Sequence, residues 1–253
     1  MRAVLAIAGR ELRVLFASPS AWAMLAVVQG ILGYLFLTQI DMFVQLRSQL
    51  MAMPDPPGLT EIVAPSLFGS AGIVLLMLVP MITMRSFAEE RRNQTLPLLL
   101  SAPVSVTGIV LGKYLALLGF LTLVTALTAL MPVSLLLGAR LDLGLLSASV
   151  LGLWLLLGSF AALGLFMSTL TSHPMTAAVS TFGLLLLLWI LDWASGSAGE
   201  GSGALLRQLS MLNHYQPLLK GVFAIADVAY FALFIVLFLG LSIRRLDAER
   251  LAG

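Results

Sequence analysis

The sequence has no cysteine, only two histidines and few charges: 10% of its 253 residues are Asp, Glu, Lys or Arg. The missing cysteines exclude disulfides, thiol catalysis and Cys-ligated zinc, and say little about compartment. The shortage of charge excludes an ordinary soluble domain, in which about a quarter of the residues are charged. A net charge of +2, without any basic run interleaved with aromatics, excludes nucleic acid as a partner. The histidines, His173 and His214, fall on opposite sides of a membrane in the topology below. They cannot share one metal, and no metal site is expected.

What fills the chain instead is hydrophobe, 60% of it, with a mean hydropathy of +1.03. Six apolar runs can be read, at about 20–40, 66–84, 107–137, 145–170, 175–193 and 222–243. Each is near or above the roughly 20 residues that a helix needs to cross a bilayer. They are Leu-rich and lack the alternation of strands, which predicts helices rather than a barrel. The third and fourth exceed one crossing, so tilt or an interfacial extension is expected. The predicted fold class is therefore all-α and integral to a membrane, one domain over residues 1–253 with six transmembrane helices.

The basic residues orient it. With the N-terminus in the cytoplasm, inside segments hold Arg2, Arg10, Arg13, Arg85, Arg91, Arg92, Lys113, Arg244, Arg245 and Arg250; outside segments hold only Arg47, Arg140, Arg207 and Lys220. An excess of ten to four fits the positive-inside rule and places both termini in the cytoplasm. No cleaved signal peptide is visible, because Arg10, Glu11 and Arg13 break the first short apolar run. In residues 1–18, Leu5, Ala8, Leu12, Leu15 and Phe16 share a helical face opposite Arg2, Arg10 and Arg13, the pattern of an amphipathic interfacial helix. Ser18-Pro19 then turns the chain into the membrane, with Trp22 near the head groups.

Between the spans, 41–65 reads as an outside loop, because "MPDPPG" argues against a long helix there. Residues 138–144 and 171–175 read as short turns, outside and inside. The segment 194–221 opens with "ASGSAGEGSG", a flexible linker. It continues with Leu205, Leu206, Leu209 and Leu212 on one face and Arg207, Gln208 and Ser210 on the other. This predicts a short extracytoplasmic helix, interfacial or re-entrant, ending before Pro217.

The densest polar stretch is "RSFAEERRNQTLPLLLSAPVS", residues 85–105, on the cytoplasmic side between the second and third spans. Charge alone would fit a solvated loop that enforces topology. The segment is longer than a turn requires, however, and Arg85–Asn93 has helix-forming composition around Phe87. A short cytoplasmic helix presenting Glu89 and Arg92 suits docking on a soluble partner, with Pro97 and Pro103 breaking the chain behind it.

Other candidate chemistry is weaker. "GIVLGKY" is no phosphate loop: its glycines are too close, and Tyr114 stands where a Mg²⁺-binding hydroxyl residue would be. Helix packing through Gly108, Gly112 and Gly119 is the better reading. Asp192 and Asp227 sit near outer span ends, where interfacial exposure explains them, although acids there can mark a site. Asn93-Gln94-Thr95 is a formal glycosylation sequon on the inside face, where it is inert. No Ser/His or paired-carboxylate arrangement appears inside the spans, and no catalytic residue is predicted.

"VPMITMRSFAEERRNQTLPLLLSAPVSVTGIVLGKY" resembles the stretch after the second span in ABC-2-type transporter permeases, and more narrowly the gliding-motility-type subgroup. The matching positions run from Pro80, Thr83, Met84 and Arg85 through Glu89, Glu90, Arg91, Arg92 and Thr95 to Pro103, Val104, Ser105, Gly112 and Lys113. "RELRVLFASPSAW" is similar to the first helix of such permeases, and "LSMLNHYQPLLKGVFAIADVAYF" to their last outer segment and final span. Gln94 departs from the usual Gly before Thr95, and Pro97 from a frequent acid; both are expected to alter the turn after the charged helix.

The resemblance implies a type V exporter-like fold in which 85–105 is a coupling helix seated in a cytoplasmic ATPase. The ATPase-coupling residues would be Arg85, Phe87, Glu89, Glu90, Arg91, Arg92 and Thr95. It further implies a permease dimer, from two copies or a related partner, with two ABC ATPase subunits that carry the ATP and Mg²⁺, this chain holding no cofactor. An auxiliary extracytoplasmic protein, membrane lipids and a bacterial inner-membrane location complete the picture. Gly30 and Gly33 would lie at the dimer seam, and Leu209, Leu212, His214 and Asp227 at an outer gate. The rival reading is an intramembrane enzyme or ion-conducting protein. It would need ionisable groups deep in the spans, where Leu, Ala, Val and Gly stand instead.

Overall fold

A computed structural model describes residues 2–50, 58–101, 104–137, 142–197 and 206–252. In it, α1 spans Arg2–Ala17, α2 Pro19–Leu50, α3 Leu59–Thr83, α4 Arg85–Arg92 and α5 Leu96–Ser101. Then follow α6 at Val106–Val133, a 3₁₀ turn at Ser134–Leu137, α7 at Leu143–Leu170 and α8 at Pro174–Ser197. A single helical turn at 206–209 leads to α9, Met211–Leu219, and α10, Ile225–Ala252. Among the described residues there is no strand, and six helices are long and apolar enough to cross a membrane. The expected all-α membrane fold is what the chain adopts.

Local chemistry sets the helix ends. Pro19 and Pro174 begin α2 and α8, where a missing N–H is harmless. Ser105 caps α6 by accepting from the Gly108 N–H, Asp142 caps α7 by accepting from Gly144 and Leu145, and Ser210 caps α9 by accepting from Asn213.

The bundle is built around α7. Of its most apolar stretch 72% is buried, against 17% for α2 and 22% for both α8 and α10. Small residues let neighbours close on this post. At Gly164 a side chain would overlap Thr83 of α3, and at Gly152 it would meet Leu218 of α9 at 2.9 Å. The packing of α1 along α6 follows the same rule: a Cβ on Gly112 would lie 2.7 Å from Ile7, and one on Gly119 3.3 Å from Leu12. The expected packing role of Gly108, Gly112 and Gly119 is therefore seen, with α1 as the partner.

Three expectations need correcting. The predicted loop 41–65 is helical at both ends, since α2 continues to Leu50 and α3 starts at Leu59 with Pro65 inside it. Polar residues interrupt the apolar pattern there without interrupting the helix; Gln45 even donates to Asp41 one turn back, at 3.0 Å. "MPDPPG" itself lies largely outside the described residues. In α1, Ile7, Leu12, Leu15 and Phe16 pack against the core, while Leu5 is 67% exposed, as a lipid-facing residue of an interfacial helix can be. Pro97 does not break the chain but sits in the first turn of α5, where proline is tolerated. Likewise α9 runs through Pro217 to Leu219.

Ends of α3 and α4 also matter below. Pro80 lies inside α3, so the helix loses one backbone hydrogen bond a turn before its end. Met84 keeps helical angles and donates to the Pro80 carbonyl at 3.0 Å, so α4 continues α3 almost without a break.

Candidate functional site

The sequence elements that carry polar residues gather at the two ends of the bundle. One end, here the basic end, holds α1, α4, α5, the start of α6, the end of α7 and the C-terminal part of α10. At its centre is α4, an eight-residue helix with opposite faces. Phe87 and Ala88 are fully buried, while Arg85, Glu89 and Arg92 are exposed.

Between these faces two side chains reach out of α4 in different directions. Glu90 accepts from the Lys113 ammonium of α6 at 2.8 Å, and Lys113 also donates to Glu11 of α1 at 3.2 Å. Lys113 is only 4% exposed and stands 5.2 Å over the Phe87 ring. A lysine placed this far into an apolar helix stays charged at tolerable cost only with carboxylates beside it. Arg91 turns the other way. One of its terminal nitrogens donates to both Glu249 oxygens of α10 at 2.8 Å and to the Thr169 carbonyl at the end of α7 at 2.7 Å. Arg245 adds a second contact to Glu249, at 3.3 Å. Eight residues thus tie α4 to α1, α6, α7 and α10.

The turn after α4 has a strained residue. Gln94 has φ of 55°, the left-handed region, while its N–H donates to Arg91 and that of Thr95 to Glu90. This is a helix-ending turn in which the left-handed position is normally glycine. Here a glutamine bears that geometry.

Of the seven residues assigned to coupling, Arg85, Glu89, Arg92 and Thr95 are exposed. Glu90 and Arg91 point into the bundle, and Phe87 is buried within it. Phe87 is an anchor, its ring completing the apolar underside of α4.

At the other end, α9 is held by aromatics. Tyr215 is fully buried, donates to the Phe68 carbonyl of α3 at 2.7 Å, and has Trp189 of α8 beside it at 6.4 Å between ring centroids. His214 and Asp227, 13 positions apart in the chain, meet at 2.7 Å. The second ring nitrogen of His214 lies 3.1 Å from the Gln208 carbonyl, and the ring stacks on Tyr230 at 4.1 Å. Tyr230 in turn donates to the Leu209 carbonyl at 2.8 Å. Leu209 is exposed, Leu212 half-buried, and Leu205 lies outside the described residues. The expected leucine face is replaced by Met211, Tyr215, Leu218 and Leu219 as what α9 buries.

Gly30 and Gly33 do not share an open face. Gly30 has open space, whereas a Cβ on Gly33 would meet Met131 of α6 in the same chain at 3.8 Å. Gly33 thus touches α6 of its own chain. Among the described residues no three of His, Asp or Glu come together as a metal would need.

Sequence reasoning missed Glu11, Glu249, Thr169, Tyr215 and Tyr230. Only Lys113 gave a usable signal: a lysine one turn or two inside an apolar run requires an acid from elsewhere.

The site thus sits on a bundle of six candidate spans, with a polar helix continuing the second. Residues 44–244 match the family model described as ABC-2 family transporter protein, so the chain belongs to that family. It is a multi-pass membrane protein and the permease component of an ABC transporter, a family whose members work with an ABC ATPase. A search of curated proteins returned no match.

Proposed function

We propose that this chain forms, with a second copy or a related permease, the membrane part of an ABC machine of the gliding-motility-type subgroup. Two ATPase subunits dock in the cytoplasm on segment 85–105 and supply ATP and Mg²⁺. The machine exports a substrate or passes force to an extracytoplasmic apparatus, with room for an auxiliary protein there. Its place is a bacterial inner membrane, both termini in the cytoplasm; the clustering of ten basic residues at one end supports that orientation.

The observation that carries this reading is the grip on α4. A docking helix must expose groups to its partner and yet move the membrane part when pushed. Arg85, Glu89 and Arg92 are exposed, while Glu90 and Arg91 are tied to α6 and α10 at 2.8 Å each. Closure of the ATPases would press on the first set and displace several helices through the second, a bistable switch. At the far end, Leu209, Leu212, His214 and Asp227 belong to a segment placed to gate exit.

The test is the combined reversal Glu89→Arg with Arg92→Glu. Permease-stimulated ATP hydrolysis should fall by about tenfold or more, the effect of losing one or two charge-assisted contacts. Membrane insertion, set by span hydrophobicity, should be unchanged. Stimulation at the wild-type level would end the docking assignment.

A further inference from the structure

His214 of α9 stands between two acceptors. Its Nδ1 lies 2.7 Å from a carboxylate oxygen of Asp227 in α10, and its Nε2 3.1 Å from the Gln208 carbonyl in the turn before α9. Neither partner has a hydrogen to give in return, since a carboxylate and a backbone carbonyl only accept. A neutral imidazole carries one N–H and serves one of them, leaving the other against a lone pair. An imidazolium carries two and serves both. Asp227 stands in the first turn of α10, a place that suits a negative charge, and a charged acceptor is the stronger one. When the ring gives up its proton, the bond to Asp227 is therefore the one kept and the bond to Gln208 the one lost.

That second bond helps to hold a short, exposed piece of chain. Residues 206–209 are tied down by the Gln208 carbonyl on His214, the Leu209 carbonyl on the Tyr230 hydroxyl at 2.8 Å, and the Arg207 guanidinium on the Asn213 side chain at 3.0 Å. Arg207, Gln208 and Leu209 are all exposed. The helix α9 itself does not depend on the histidine, because Tyr215 anchors it to α3. Around the ring, α7 carries no ionisable residue, α8 carries Asp192, and α3 carries Glu61, which accepts from the Gly58 N–H. On α10 the neighbour is Tyr230, stacked on the ring at 4.1 Å, while its remaining charges lie at the far end from Arg244 onward. On α9 itself, Lys220 caps the C-terminal end. The His214 side chain is 15% exposed, so water can deliver and remove a proton.

We infer that His214 is a proton-operated latch: its charged ring pins the turn 206–209 to α9 and α10, and its neutral ring frees that turn. The only bond made or broken is that to the proton, which comes from external water and returns to it. The consequence for transport rests on the reading of this segment as the exit gate. An acidic exterior would hold the gate shut, and a neutral or alkaline one would loosen it.

The test uses the full chain in lipid nanodiscs with its ATPase subunits, at about pH 5 and about pH 8, the limits between which histidine side chains change charge. The chain has two histidines, so ¹⁵N-histidine labelling gives two ring spectra, and His173→Gln leaves that of His214. Both ring nitrogens should carry hydrogen at the lower pH and one of them at the higher. Amide exchange, corrected for its intrinsic dependence on pH, should show residues 206–213 about tenfold better protected at the lower pH, the size expected of one charge-assisted hydrogen bond. Protection of α7 should not change. His214→Phe keeps a ring on Tyr230 and should erase the difference. Should that variant fail to fold, Asp227→Asn, which removes the charge opposite the ring, should reduce it severalfold. A ring with one N–H at both pH values, or equal protection at both, would overturn the latch. The gate is read separately, as the ratio of permease-stimulated ATP hydrolysis in the wild type to that in His214→Phe. A ratio that changes with pH supports latch and gate together; a constant ratio, with protection still following pH, keeps the latch and removes the gate.

Discussion

The two ends of the bundle are closed by different means. At the basic end, the links are ion pairs between residues 23 to 158 positions apart, with carboxylates about a quarter exposed. At the α9 end, the links are rings: a tyrosine with no exposure at all and a histidine stacked on another tyrosine. The Arg91–Glu249 pair, about a quarter exposed on both sides, can be broken and replaced by water at modest cost, whereas the pairs of Lys113, only 4% exposed, cannot. A buried ring has no such alternative, since leaving its pocket forfeits contacts that water does not restore. One end thus includes a link that water can replace, while the other is held by packing that it cannot.

Removing the central ring of the closed end should have the largest effect. Tyr215→Ala should cost about 3–5 kcal/mol, the range for emptying a buried aromatic site. Amide exchange over 211–221 should then become fast while the basic end stays protected. An equal rise in exchange at both ends would break the distinction.

Lys113→Met should come next, at about 2–3 kcal/mol, because Glu90 and Glu11 would lose their shared cation. Adding Glu90→Gln and Glu11→Gln to that variant should recover much of the loss, since the uncompensated charges would be gone. Chemical denaturation in detergent checks both steps; no recovery would mean that Lys113 acts through packing alone. Smaller again is the pair across α4 and α10. A double-mutant cycle of Arg91→Ala and Glu249→Ala should give a coupling of about 1 kcal/mol that shrinks at high salt. Coupling that salt leaves unchanged would place this pair with the rigid end instead.

The smallest effect separates two turns of one design. Both α4 and α9 end with a residue in the left-handed region, Gln94 at φ 55° and Gly221 at φ 77°. In each, the following N–H reaches back to the carbonyl five positions earlier, Thr95 to Glu90 and Val222 to Pro217, both at 2.9 Å. Only the second has the residue that suits it. Gln94→Gly should therefore stabilise the chain by about 1 kcal/mol, the steric cost of a side chain in this region. A lower melting temperature in that variant would show that the glutamine side chain contributes something that the turn needs.

Hydrophobic runs made the six spans readable, and the charged octet made α4 readable as a helix. What could not be read was direction. A string of charges at 85–92 does not say that Glu90 and Arg91, adjacent in sequence, turn to opposite sides of the bundle, because their partners lie 23 and 158 residues away. His214 and Asp227 each had an ordinary interfacial explanation when taken singly; only the docking of α9 against α10 brings them to 2.7 Å. The loop at 41–65 was misread because loss of hydrophobicity was taken as loss of helix, and the two are separate properties of a chain that extends beyond a bilayer.

Pro80 gives the α3–α4 rod the mechanics of a lever with its fulcrum off centre. From Pro80 to Arg92 the short arm measures about 18 Å at 1.5 Å per residue. A proline inside a helix is where such a rod bends most easily. Tilting the short arm by about 10° would carry its tip about 3 Å, roughly the length of one hydrogen bond. The rest of α3, packed against α7, need not shift at all. A small rotation at Pro80 would therefore be enough to make or break a hydrogen bond at the tip.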